Sequence, residues 1–369
     1  MLNGQKIAVV VPAYNEEVQI ALVISSMPDF VDRIVVVNDR STDETARVVE
    51  RYIAEDKTLI IELKPFPNEV VPNLYNRAEQ VVDAINRSEI KHYIPSEVAN
   101  KYPERDRIIL INHLENGGVG AAISRGYKWC KDHAIDCTAV MAGDGQMDPE
   151  ELESICAPVA NGEVDYAKGN RLIHASAKYV IPKIRLFGNS VLSMLTKIAS
   201  GYWRVSDTQT GYTAISLKAM HKVRLHDIYK RYGMPNDLLV KLNIAQCTIK
   251  EVEIKPIYEV GEKSKMRIML VIPTVSLLLL RSFVKRIYIK YLLRDFHPLC
   301  LFYHSSFLLG LAALPYAYKI AKAFATGQIV HYEPLFAFIF LTTSSFQALI
   351  FAMWMDIQDN ERLFKSASE

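Results

Sequence analysis

Hydrophobic positions along the chain follow two regimes. Up to about residue 265 they come as short β-rich runs at 7–11, 33–37, 107–111 and 138–141, with helical spacing between them. That alternation predicts an α/β domain with a mostly parallel sheet covered by helices. Helix starts are marked by Ser41-Thr-Asp-Glu44, a capping-box pattern, and by Asp148-Pro149-Glu150, a cap followed by proline at the first helical position. A polar, proline-punctuated stretch at about 64–106 interrupts the rhythm and reads as an insertion with one or two helices of its own.

Beyond residue 265 the apolar runs lengthen. Residues 299–318 and 335–355 carry no charged side chain, and each is about 20 residues long, enough to cross a hydrocarbon core. They predict two transmembrane helices at 297–356, followed by a short tail, 357–369. Ahead of them Arg281, Lys285, Arg286, Lys290 and Arg294 crowd together, which by the positive-inside rule puts the soluble domain and both termini in the cytosol. Leu280, Phe283, Val284, Ile287, Tyr288, Tyr291 and Leu292 recur opposite those cations, a pattern for a helix lying on anionic lipid. The run at 268–280 is too short to span and contains Pro273, so 266–296 reads as two interfacial pieces.

Composition narrows the function classes. Forty-three Lys and Arg against 41 Asp and Glu leave a formal charge of +2, which carries no general signature of nucleic-acid binding. Five cysteines without a CxxC pair fit reduced thiols.

In an open parallel sheet ligands sit at the carboxyl ends of the strands, so the residues after each strand are the candidates for chemistry. The first run ends in Pro12-Ala-Tyr-Asn-Glu-Glu17, the second in Asn38-Asp39, the fourth in Ala142-Gly-Asp144-Gly-Gln146. Tyr14 can stack on a base, and Glu16 and Asp39 can accept hydrogen bonds from base or ribose. Asp144 and Gln146 are two apart, so in an extended segment their oxygens face the same way and can share one hard divalent cation. Asp148, next to Pro149, reads as a helix cap. Asn116-Gly-Gly-Val-Gly120 imitates a dinucleotide fingerprint, but close backbone packing beside a ligand explains it equally. Arg171, Arg185 and Asn189 offer donors to an anionic phosphate, as do Lys263 and Lys265. Asp207 and Asp237 are candidate acids, with helix capping the other reading of Asp237.

Together these motifs resemble the family 2 glycosyltransferases of GT-A fold, and among them the dolichol- and polyprenol-phosphate sugar synthases. The resemblance runs from Val10-Val-Pro-Ala-Tyr-Asn-Glu-Glu17 through Asn38-Asp-Arg-Ser-Thr-Asp43, Asn116-Gly-Gly-Val-Gly120, Gly143-Asp-Gly-Gln146, Gly169-Asn-Arg171 and Asp207 to the two terminal spans. It implies a Rossmann-like GT-A catalytic domain over residues 1–265. It also implies that Pro12, Tyr14, Asn15, Glu16, Asp39, Asn116, Gly118 and Asp144 hold a nucleotide sugar, and that Asp144 and Gln146 bind Mg2+ or Mn2+. Arg171 and Arg185, with Asn189, Lys263 and Lys265, would hold the acceptor phosphate. Ala142 stands where the family's first metal-binding aspartate would be, and Asn189 where a serine is common. The Gln-x-x-Arg-Trp element of processive polysaccharide synthases is absent, which argues against chain extension.

The expected activity is an inverting sugar transfer from a nucleotide sugar, uridine preferred over guanosine, to a polyprenol phosphate, with Asp207 orienting the acceptor or contacting the metal region and Asp237 second to it in a similar role. Two rivals follow from the same residues: transfer to the hydroxyl of a lipid-linked saccharide or glycolipid, and an inactive nucleotide-sugar-binding membrane protein. Assembly into a homo-oligomer is left open.

Overall fold

β1 (Ile7–Ala13) is buried at all seven positions, so its sequence does not alternate between apolar and polar. Such a strand needs cover on both faces, and the rest of the domain supplies it. The computed structural model describes residues 1–56, 58, 62–63, 72–257 and 268–366. The further strands are β2 (Arg33–Asn38), β3 (Ser96–Val98), β4 (Ile108–His113), β5 (Cys137–Val140), β6 (Tyr166–Asn170), β7 (Thr213–Ser216), β8 (Ile249–Glu253) and β9 (Phe364–Lys365). The helices are α1 (Gln19–Ser25), α2 (Thr45–Glu55), α3 (Arg77–Ser88), α4 (Val119–Asp132), α5 (Leu152–Ala160), α6 (Ala177–Val180), α7 (Lys183–Ser200), α8 (Leu217–Lys222), α9 (Met234–Ile244), α10 (Ile268–Tyr288), α11 (Pro298–Thr326) and α12 (Tyr332–Glu361).

The strands form one sheet in the order β3-β4-β2-β1-β5-β7-β6-β8-β9. β4, β2, β1 and β5 run parallel, β7 is antiparallel to both neighbours, and β6 and β8 are again parallel. Alternate residues divide between two cores. Ala8, Val10, Val35 and Val37 pack against Ala122, Tyr127, Leu238 and Leu242 of α4 and α9. Ile7, Val9, Val11, Ile34 and Val36 pack against Ile20, Val49, Leu152 and Ile155 of α1, α2 and α5. The result is the α/β architecture expected from the sequence, with antiparallel β3 and β7 making the sheet mixed. All five cysteines are free and buried.

Three local expectations change. Ser41 does not cap a helix, because its Oγ accepts the Asn15 N–H at 3.0 Å. Asp43 accepts the Thr45 N–H at the start of α2 instead. Asp148 does cap its turn, accepting the Glu150 N–H at 3.0 Å. The segments at 268–280 and 281–292 are not two interfacial pieces but the single helix α10, which runs through Pro273 into a π-helical turn, Ile289–Arg294. Nor do its cations all face outward: Arg286 is fully buried and Lys290 nearly so, while Arg281, Lys285 and Arg294 are exposed. The apolar set divides likewise. Ile287 and Tyr291 are buried with Leu299 and Cys300, and Phe283 packs against them. Leu280, Val284, Tyr288 and Leu292 form an outward stripe.

α11 and α12 contain the two expected spans and pair as a hairpin. Small residues let them close: Ser345 Oγ donates to Ser306 O at 2.8 Å, and Ala313, Ala348 and Ala352 are buried. The outer faces, with Phe307, Leu311, Phe340 and Ile350, are exposed, unlike those of a buried core hairpin. By length and composition both helices can cross a membrane. After α12 the chain returns to the domain, where β9 pairs with β8, so both ends of the hairpin lie on the domain's side.

Gly120 marks the tightest packing of α4. A Cβ there would sit 2.1 Å from the Tyr229 carbonyl oxygen. Gly120→Ala is therefore expected to destabilise the domain by about 1–3 kcal/mol, as overpacking does, and thermal unfolding in detergent would show the loss; an unchanged melting temperature would contradict it.

Candidate functional site

Strand direction decides where the polar loops meet. β1, β2, β4, β5 and β6 all point the same way, so the segments that follow them converge on one edge, and antiparallel β7 brings its preceding loop to that edge too. A cavity of about 1070 Å³ opens there. Its floor includes Tyr14, Glu16, Asp39, Asn116, Asp144, Gln146 and Arg171, residues up to 157 positions apart in the chain. Its opposite wall is apolar, made by Leu192 of α7, Met234 and Pro235 of α9, and Ile272 and Val275 of α10.

The loops after β1 and β2 are zipped together. The Asn15 side chain accepts the Thr42 N–H at 2.8 Å, and the N–H groups of Glu16 and Glu17 donate to Thr45 Oγ1 and Asp43 Oδ2. Asn15 thus shapes the cavity through this contact while also lining it, and Pro12 and Tyr14 line it beside Asn15. Asp39 is 2% exposed and heavily engaged. Its Oδ1 lies 2.7 Å from His113 Nδ1 and accepts the Gly117 N–H; its Oδ2 accepts the Gly118 N–H at 2.7 Å. Burial alone would raise its pKa, but His113 and the two N–H donors outweigh that and hold it below the usual carboxylate range. Among the described residues Oδ1 thus has two partners and Oδ2 one.

This arrangement also explains the false dinucleotide signature. Gly118 sits at φ +87° at the start of α4, and the place that a phosphate takes at a helix N-terminus is filled by the Asp39 carboxylate. Gly118 and Gly120 pack on the backbone at 229–230, Gly117 faces the side chains of Ala121 and Ile94, and Asn116 donates to Asp39 O at 3.1 Å. His113 is not among the candidates taken from the sequence; it ends β4 at the same edge as Asp39, a strand-end position that could have flagged it.

Asp144 and Gln146 both line the cavity, but not through an extended segment. The chain turns there with Gly145 at positive φ, and Asp144 Oδ1 accepts the Gln146 N–H at 3.1 Å. No group of three or more His, Cys, Asp or Glu among the described residues is placed to share an ion. A carboxylate and an amide oxygen at one wall of a diphosphate-sized cavity form a partial donor set, of the kind a hard cation completes with phosphate oxygens and water. The residues present therefore fit a divalent ion that arrives with its ligand.

Arg171 and Asp207 meet as a fork, Nε to Oδ2 at 2.8 Å and Nη2 to Oδ1 at 3.0 Å. Asp207 is 1% exposed and does not line the cavity; Arg171 does. Burial pushes the Asp207 pKa up, but hydrogen bonds and charge from Arg171, with the charge of Lys168, hold it below the usual range. Beneath them Lys168 donates to Thr210 O, and its pKa is pulled down to about 8 by burial, against the pull of Asp207 and Glu251. Asp237 stands outside the cavity as well, accepting the Tyr229 N–H at 2.8 Å and pairing with Lys241. Neither aspartate, expected from the sequence to orient the acceptor, lines this cavity; Asp207 is joined to it through Arg171. Asn189 lines the cavity, the Arg185 side chain is not among those described, and Lys263 and Lys265 lie outside the described residues.

Gln209, Arg231 and Tyr232 line the cavity without having been singled out. Gln209 is two residues from Asp207 in a loop entering β7, and recognising that strand would have exposed it.

Comparison with known proteins places these features. The profile of the family described as Glycosyl transferase family 2 matches residues 8–72 and 94–224. A UDP-N-acetylglucosamine–dolichyl-phosphate N-acetylglucosaminyltransferase of Methanococcus voltae is 26% identical over 253 residues, 68% of this chain and 86% of that one. An uncharacterized protein of Methanocaldococcus jannaschii is 26% identical over 259 residues, 70% of this chain and 84% of its own. Among solved structures, glucosyl-3-phosphoglycerate synthase from Mycobacterium tuberculosis, in complex with Mn2+, UDP and glucosyl-3-phosphoglycerate, has a TM-score of 0.45 and 17% identity, covering 77% of this chain and 80% of that one.

The Arg171–Asp207 fork yields a pH prediction. Because the Asp207 pKa is depressed in the fold, its contribution is complete above the unfolded value of about 3.9 and drains away as pH falls through the folded value. Asp207→Asn is expected to cost about 3 kcal/mol at neutral pH. The gap to wild type should narrow in thermal melts below pH 4, and a gap independent of pH would contradict the ionised pair.

Proposed function

The chain belongs to glycosyl transferase family 2, whose profile covers more than half of it, and on that premise we propose that it moves a sugar from a nucleotide sugar to the phosphate of a polyprenol lipid, inverting the anomeric centre. The observation that carries this reading is the two-sided cavity. Its polar floor, with Asp144, Gln146 and Arg171, suits a sugar diphosphate, and its apolar wall, with Leu192, Ile272 and Val275, suits a lipid and belongs to the helices nearest the hairpin. The name of the Methanococcus voltae relative supports a uridine donor and a dolichyl-phosphate acceptor.

In the proposed step an oxygen of the acceptor phosphate forms a bond to the anomeric carbon from the face opposite the leaving group. The bond from that carbon to the nucleoside diphosphate breaks, and its electron pair leaves with the diphosphate. A phosphate monoester is largely ionised at neutral pH, its second pKa being about 6, so it needs no protein base. The positions of Asp207 and Asp237, both engaged and outside the cavity lining, agree with that. A transfer to a lipid hydroxyl would need a general base to take its proton, and neither of these carboxylates lines the cavity.

Tyr14, Asn15 and Glu16 with Asp39 would hold the nucleotide, and Arg171 and Asn189 the acceptor anion, joined in this proposal by Arg185, Lys263 and Lys265. Asp207 acts through Arg171, fixing Nε and Nη2 so that the guanidinium meets a phosphate with little reorganisation. Asp144 and Gln146 would hold Mg2+ or Mn2+, and that ion, when bound, supplies charge neutralisation for the departing diphosphate. The domain and both termini are proposed to face the cytosol, where the exposed Arg281, Lys285 and Arg294 agree with the positive-inside rule.

Incubating the full chain in nanodiscs with a short polyprenyl phosphate, a panel of UDP- and GDP-sugars and Mn2+ or Mg2+ should give a glycosylated lipid by mass spectrometry, from a UDP donor. Asp144→Ala should slow it by ~100-fold or more, and chelation should stop it. Absence of product with every donor would overturn the transfer reading; a wild-type rate for Asp144→Ala would overturn the metal assignment alone.

A further inference from the structure

On the transfer reading above, we infer that Arg286 is a positioning residue through which the membrane hairpin holds the acceptor-side wall of the cavity in place. The residue sits on α10, is fully buried, and ties that helix to two others. Its Nη1 and Nη2 fork onto Asp356 of α12 at 2.7 and 2.8 Å. Its Nε and Nη2 also donate to the carbonyls of Ala199 and Ile198, in the last turn of α7, at 2.9 and 3.1 Å. Those carbonyls are among the orphan acceptors of a helix end, so a guanidinium there both caps the helix and complements its dipole.

The surroundings show a site built for this contact. Gly201 ends α7 in the left-handed region at φ +79°, and a Cβ on it would lie 2.5 Å from Arg286 Nη1, so the glycine serves both the turn and the guanidinium. Asp356 also accepts from the Tyr291 hydroxyl at 2.8 Å, Trp203 Nε1 at 3.2 Å and Asn360 Nδ2 at 2.9 Å. Beside it Lys290 pairs with Asp359 at 2.9 Å and donates to Asn360 Oδ1 at 2.6 Å. The π-helical turn that carries Lys290 and Tyr291 is the kind of irregularity that aims side chains at such sites.

From this latch a chain of contacts leads to the cavity. Two turns or less back along α7, Ser193 Oγ lies 3.0 Å from Thr208 Oγ1 and Thr196 Oγ1 donates to Asn236 Oδ1 at 3.1 Å. Gln209, which lines the cavity, donates to the same Asn236 oxygen at 2.9 Å and to Thr208 Oγ1 at 2.7 Å. Leu192 and Asn189 of α7 line the cavity directly. Shifting the end of α7 therefore shifts the wall on which the acceptor is proposed to bind. None of the hydrogen bonds just named involves the donor loops after β1, β2 and β5, which belong to the parallel half of the sheet.

The test uses the full chain in nanodiscs carrying Asp356→Asn, which keeps the shape and removes the charge, and Arg286→Lys, which keeps the charge and loses the fork, so that either variant serves if the other fails to fold. Hydrogen exchange of α7 should speed up by about tenfold in both, within the range expected for coupled sites, while β1 and β2 exchange as in wild type. KM for polyprenyl phosphate should rise by a similar factor with KM for the nucleotide sugar unchanged. Faster exchange confined to the end of α12, or a parallel rise of both KM values, would overturn the latch. If wild type fails to glycosylate polyprenyl phosphate, the transfer reading falls, and the exchange measurement still decides whether α12 holds α7.

Discussion

Burial of β1 on both faces, with β2 and β5 hydrogen-bonded along its two edges, leaves the polar part of the neighbouring sequence only one place to go. Strands that are apolar at every position cannot carry function on their faces, so it collects where they end. Shared strand direction then turns five separate loops into one wall. Tyr14, Asp39, Asn116, Asp144 and Arg171 are neighbours for that reason and no other. Once they meet, their own contacts do the rest: Asp39 closes the start of α4, and Asp207 fixes Arg171.

The same logic sets the role of the C-terminal region. A hairpin that merely tethered the domain would need a linker and little more. Here the chain crosses from α10 to the hairpin through buried ionic contacts and comes back to add β9 to the sheet. A buried ion pair is weak evidence for stability, since desolvation offsets much of its attraction, but it is a demanding constraint on geometry. Arg286 and Asp356 are satisfied only when α7, α10 and α12 stand in one arrangement. Apolar lining of the cavity comes from α7, α9 and α10, so the apolar hairpin and the elements that would face the acceptor are mechanically one group.

What the sequence made legible was local or repeated. The runs at 7–11, 33–37, 107–111 and 138–141 became β1, β2, β4 and β5 because double burial writes itself as unbroken apolar sequence. The two long spans were equally plain. β6 was not, since Tyr-Ala-Lys-Gly-Asn carries a buried lysine and asparagine whose partners, Thr210 and Glu251, lie elsewhere in the chain. Long-range pairing hid the rest: His113 finds Asp39 from 74 residues away and Arg286 finds Asp356 from 70. A helical pattern of cations suggested a lipid-facing stripe because nothing local distinguishes an arginine that meets water from one that meets a buried aspartate. The partners of Asp207 and Asp237, Arg171 and the Tyr229 N–H among them, were equally out of sight in the sequence.

The central claim, that the acceptor is a phosphate and attacks as one, is tested most directly by phosphorus and proton NMR of the product lipid formed from a uridine-diphosphate sugar. The account predicts that the lipid phosphorus changes from a monoester to a diester and that the sugar emerges with inverted anomeric configuration. A phosphorus that stays a monoester while sugar appears on a hydroxyl, or a retained configuration, would contradict it.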